Sequence, residues 1–122
     1  MPAAIPAADA AAVRATVEEF NAAADGTPSD QRQRLVELVD PDRRERAIQC
    51  PTATTTVRFE PVYAGLRALA DDGARTYVLP TLIRVYDGGR LAGTDVAALQ
   101  LVVRPATGDG TPEAYLTPFC VS

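Results

Sequence analysis

Acid–base chemistry in this chain has to rest on carboxylates, four Tyr and two Cys, because the sequence contains neither His nor Lys. Losing His removes the commonest general base and the commonest metal ligand together. Losing Lys removes the phosphate-cradling P-loop and Schiff-base catalysis. Of the two Ser, Ser29 directly precedes a helical stretch and Ser122 is the last residue, so neither is placed as a nucleophile. Cys50 and Cys120 stand far apart, outside any CxxC or zinc-binding spacing. A nucleophilic Cys would need an Arg or a helix terminus to activate it. No metal and no cofactor are expected.

Among the carboxylates, Asp95 is the candidate catalytic residue. It sits in Gly93-Thr94-Asp95-Val96-Ala97, where a strand pattern turns apolar, and could project into a cavity. The plainer alternative is a bulge or strand-start Asp bonded to a turn. Glu60, before Pro61, reads as a solvated charge at a strand end. Tyr63, Tyr77, Tyr86 and Tyr115 all fall in strand-like segments, where a Tyr usually packs its ring and leaves its hydroxyl at the rim. The cluster Arg32, Arg34, Arg43, Arg44 and Arg46 is matched by Asp30, Glu37, Asp40, Asp42 and Glu45 in the same segment, and reads as a solvated helical face.

The elements that would position these residues change period along the chain. Residues 1–8, with Pro2 and Pro6, read as a tail, and 9–122 as a single domain. Asp9 is the expected N-cap of a helix reaching Ala24, whose apolar face is Val13, Val17, Phe20 and Ala24. Gly26 would close it at the C′ position. Ser29 and Asp30 would cap a second helix, and Asp40-Pro41 would start a third that Pro51 ends. From Thr54 the period becomes two: strands at Thr54–Glu60, Val62–Ala70, Ala74–Tyr86, Arg90–Arg104 and Ala114–Val121. Asp87-Gly88-Gly89 is the hairpin turn. Pro80, inside a strand, marks an edge, a bulge or a bend. The fold class is therefore α+β, with N-terminal helices packed on a curved, mainly antiparallel sheet of four to six strands.

Composition narrows the partners. A net charge of −4, with all 12 basic residues being Arg, provides no basic stripe, so nucleic acid is not an expected partner. No apolar run approaches the roughly 18 residues that cross a bilayer. An even Cys pair, before the first strand and in the last, suits a disulfide between Cys50 and Cys120. In the chain-entropy description such a loop constrains the unfolded state by about 4 kcal/mol. That bond favours a secreted or envelope-associated protein; two buried free thiols in a cytoplasmic protein are the alternative.

The order of helices, then long meandering strands, resembles the NTF2-like (cystatin-like) superfamily of α+β cones. The likeness covers nearly the whole chain and rests on element order, with Asp9–Ala24 as the long first helix. The Cys pair is also similar to that of small exported actinobacterial proteins. The resemblance implies a pocket between the concave sheet and the first helix, with Phe20, Tyr63 and Tyr77 as lining residues. Isomerases of this superfamily use a Tyr on the first helix, where this chain has Phe20, and its cyclases and dehydratases use a His that is missing here. The leading expectation is therefore a non-enzymatic exported domain binding a small apolar ligand or a protein partner. A lyase or isomerase on an apolar carbonyl compound, with Asp95 as base, and a domain forming a homodimer through its open sheet face are the alternatives.

Overall fold

The computed structural model describes residues 5–48, 54–69, 75–105 and 110–118. Cys50 and Cys120, and with them the expected disulfide, lie outside the described residues. Helix α1 runs Ala7–Ala23 and helix α2 Pro28–Leu38; a 3-10 turn, Pro41–Arg43, leads into the short helix α3, Arg44–Ile48. Five strands follow: β1 Thr56–Pro61, β2 Arg67–Ala68, β3 Arg75–Asp87, β4 Arg90–Arg104 and β5 Glu113–Leu116. They form one curled antiparallel sheet in the order β1-β3-β4-β5, with β2 on the same side of β3 as β1. The α+β architecture read from the sequence is the one observed.

Helix α1 starts earlier than expected. Pro6 is its N-cap residue, and its carbonyl accepts from the N–H groups of Asp9 at 3.0 Å and Ala10 at 3.1 Å. Two Ala after Pro6 are strong helix formers, and the fixed φ of Pro suits a helix start. Asp9 is consequently inside the first turn and faces the core. The second helix is capped by Thr27 rather than Ser29: its hydroxyl accepts from Asp30 N at 3.1 Å, while Asp30 accepts from Thr27 N at 3.1 Å. That reciprocal pair satisfies two donors at the helix end. Gly26 has no left-handed φ, so it is not the expected C′ glycine. A Cβ there would lie 2.8 Å from the Asp30 carboxylate, which makes Gly26 a close-approach residue beside the capping box. Asp40 does cap the next turn, with Pro41 at its first position.

The sheet's spine is the β3–β4 hairpin, closed by Gly88 (φ 59°) and Gly89 (φ 83°). Two successive positive φ values give the turn whose twist matches the strands. Val57, Phe59, Tyr77, Leu79, Leu99, Leu101, Val103, Ala114 and Leu116 form the inner face and meet Val13, Val17, Phe20, Leu35, Leu38 and Val39 from the helices. Phe20 stacks on Phe59 with ring centroids 4.6 Å apart.

Pro80 sits in the central strand without cost to the ladder. Its carbonyl accepts from Val62 N at 2.8 Å, so its nitrogen faces the gap between β1 and β2, where the 3-10 turn Tyr63–Gly65 leaves the sheet. The missing N–H thus falls where no strand asks for it. The segment read as a strand from Val62 to Ala70 is for the same reason broken into that turn and the two-residue β2.

Strand β1 is the sheet's edge, and side chains close it. The Asn21 carboxamide of α1 accepts from Phe59 N at 2.7 Å and donates to Phe59 O at 2.8 Å. The Gln31 carboxamide of α2 accepts from Val57 N at 2.8 Å and donates to Val57 O at 2.7 Å. Two amides, two residues apart along β1, therefore stand in for a neighbouring strand and blunt an edge that would otherwise invite pairing.

Candidate binding cleft

Residues two apart on a strand share a face, so Arg75 and Tyr77 both point from the start of β3 toward α1. Asp9, in the first turn of α1, lies above them. Its Oδ2 accepts from the Tyr77 hydroxyl at 2.5 Å, and its Oδ1 accepts from Arg75 Nη2 at 2.7 Å. Asp9 is 2% exposed and Tyr77 4%, whereas the Arg75 side chain is 41% exposed. Partners of this kind offset the hydration a carboxylate loses on burial, and its place at a helix N-terminus adds to them.

This triad lies in the wall of a cleft of about 630 Å³, lined among the other described residues by Ile5, Pro6, Ala8, Ala68, Pro105, Gly110 and Pro112. Among the described residues, Asp9 and Arg75 are the only charged ones lining it. Both Asp9 oxygens accept from donors and the residue is almost fully buried, so this carboxylate anchors the helix to the sheet and presents little surface to a substrate. A smaller groove of about 460 Å³ continues along α1 past Ala11 and Ala15, sharing Ala8 and Pro112 with the cleft.

Of the described residues that the sequence marked as catalytic or ligand-lining candidates, Tyr77 alone lines the cleft. Phe20 lies wholly in the core, about 16 Å along α1 from Asp9. Tyr63 is in the 3-10 turn rather than a strand, under the Arg14 guanidinium at 3.9 Å from its ring centre. Burial pushes its phenol pKa up, Glu18 adds to this, and Arg14 opposes it. Asp95 lies opposite Ile83, exposed, with its Oδ1 accepting from the N–H of its neighbour Val96 at 2.8 Å. Leu101 is the register partner of Tyr77, which sets Asp95 about 20 Å away along β4. The structure does not bring Asp95, Tyr63 and Tyr77 to one point. Glu60 is an exposed strand residue paired with Arg84 at 2.6 Å.

The second buried acid, Asp40, is held by Arg104 through Nε at 3.0 Å and Nη2 at 2.7 Å. In the helical Arg cluster, Arg34 pairs with Glu19 and Glu37, as a solvated face should. Among the described residues no group of three His, Cys, Asp or Glu side chains is placed to hold a metal ion, and no helix is long and apolar enough to cross a membrane.

Sequence reasoning missed Asp9 and Arg75 as a pair. The signal was present: Asp9 stands four residues before Val13 on the buried stripe, and Arg75 shares strand parity with Tyr77 and Leu79. One acid and one base on facing inner surfaces are a pairing pattern. No protein-family model, no curated protein and no solved structure matches this chain.

Proposed function

We propose that this chain is a non-catalytic binding domain of NTF2-like type, acting outside the cytoplasm, that takes a small apolar ligand in the cleft beside Asp9. The observation that carries the reading is the character of that cleft: mainly apolar walls around about 630 Å³, with a carboxylate whose oxygens are already paired. That volume is in the range of small-molecule sites, about 300–1,000 Å³. The α+β order and the curled sheet are compatible with the NTF2-like cone.

The test is titration with N-phenyl-1-naphthylamine, an uncharged probe that fluoresces on entering an apolar site. Saturable enhancement is expected in the native protein and its loss in Ala8→Phe, which fills the cleft from an exposed helix position. Circular dichroism establishes that the variant is folded. Absence of saturable binding, or equal binding by the variant, overturns the reading.

A homodimer is the second reading, favoured by an apolar patch on the outer sheet face formed by Val62, Pro80, Leu82, Val96 and Ala98. Val96 is 73% exposed and Val62 56%. Sedimentation of native protein and Val96→Lys decides it: a dimer that the substitution dissociates supports it, and a native monomer removes it.

A further inference from the structure

We infer that the ligand of the cleft is a small amphipathic carboxylic acid, its apolar tail along the cleft wall and its carboxylate on Arg75. This inference rests on the binding reading above and specifies the chemistry of that site.

The cleft's polar valences are asymmetric. Asp9 is 2% exposed and both its oxygens accept, one from Arg75 and one from Tyr77, so it presents almost nothing to an incoming group. The Tyr77 hydroxyl donates its single proton to Asp9. Arg75 differs. Its guanidinium carries five N–H donors, and Asp9 is its one ion-pair partner among the described residues, through Nη2 alone. One hydrogen of Nη2 is thereby taken. Whichever hydrogen that is, one complete pair of parallel donors remains, either Nε with Nη2 or Nη1 with Nη2. A pair of parallel N–H groups matches the two oxygens of a carboxylate. The Arg75 side chain is also 41% exposed, so its unused edge is accessible while the edge toward Asp9 is fixed.

Asp9 is therefore a positioning residue: it holds the guanidinium by one nitrogen and leaves the rest of the fork for the ligand. A ligand whose polar group only donates finds no accessible acceptor on either charged side chain. A ligand with no polar group leaves the remaining donors of the guanidinium partly desolvated and unmatched, which costs affinity. The apolar lining of Ile5, Pro6, Ala8, Pro105 and Pro112 sets the other half of the requirement, a short hydrocarbon or aromatic tail.

The experiment is displacement of bound N-phenyl-1-naphthylamine near neutral pH by decanoate, 1-decanol and decylamine, which share a tail and differ in head. Decanoate is expected to displace the probe at a concentration about tenfold lower than decanol, the size of one charge-assisted hydrogen-bonded contact, and decylamine to be weakest. Arg75→Gln should erase the preference for decanoate while leaving decanol displacement in place. If that variant fails to fold, Arg75→Lys, which keeps the charge and loses the fork, should reduce the preference instead. Equal displacement by decanoate and decanol, or a preference that survives loss of the fork, overturns the carboxylate and leaves the apolar-binding reading standing. Failure of the probe to bind at all overturns both.

Discussion

Gln31 should be one of the most costly polar residues to replace, and the structure sets how costly. It is fully buried, and its carboxamide makes three contacts: Nε2 to Val57 O at 2.7 Å, Nε2 to Phe20 O at 3.3 Å, and Oε1 from Val57 N at 2.8 Å. Gln31→Leu keeps the approximate volume and removes all three. The Val57 N–H and C=O are then left in a residue only 5% exposed. An unpartnered buried backbone group costs about 1–3 kcal/mol, and the added apolar burial offsets less than about 1 kcal/mol. The net expectation is a loss of about 3 kcal/mol. A domain of ordinary stability, about 5–15 kcal/mol, remains folded after such a loss. Gln33→Leu, the same chemical change at an exposed position of the same helix, should cost less than about 0.5 kcal/mol. Urea unfolding followed by circular dichroism measures both. A Gln31→Leu protein within about 1 kcal/mol of native, or equal to Gln33→Leu, would refute the claim that carboxamides take the place of a strand on β1.

Three further outcomes are expected. Tyr77→Phe removes a donor to a buried carboxylate and should cost about 2 kcal/mol in urea unfolding; no measurable loss would mean that Arg75 alone holds Asp9. Tyr63 and Tyr115 both hold their phenolic protons more tightly than a free Tyr, Tyr63 first through burial and Tyr115 first through its hydrogen bond to Glu113. The folded state then binds more protons than the unfolded chain above the ordinary phenol value of 10.0, so that stability is complete below it and falls as pH rises through the raised values. Tyr63→Phe should flatten this fall in urea midpoints, and midpoints level across the alkaline range would refute it. Cys50 and Cys120 are expected to be bonded, so the intact mass should rise by two hydrogens on reduction; two thiols that alkylate in unreduced protein would remove the basis for export.

The parts of the fold legible in the sequence were those set by neighbours in the chain. The change to period two after Thr54, the paired glycines at 88 and 89, and the Asp40-Pro41 helix start all express local preferences, and each holds. What was misread depended on partners distant in sequence. Asp9 beside an apolar stripe is a sound cap by local rules; Arg75 and Tyr77, on the far side of the chain, turn it inward. The partners of Gln31 on Val57 lie 26 residues on, and nothing local to α2 encodes them. Asp95 was misleading for a different reason, one of length. Helix α1, at 17 residues, spans about 25 Å, whereas β4, at 15, spans about 50 Å. A helix half as long as the strand beneath it covers only half of the hairpin. The Tyr77–Leu101 end lies under the helices and is buried, while Arg90–Ala98 stands largely clear of them and exposes Val96 and Asp95. That arithmetic needs only element lengths, and it favours the helix-covered end of the sheet as the place for an enclosed ligand. Tyr77 belonged there by parity with Leu79; Asp95, near the open end of the same hairpin, did not.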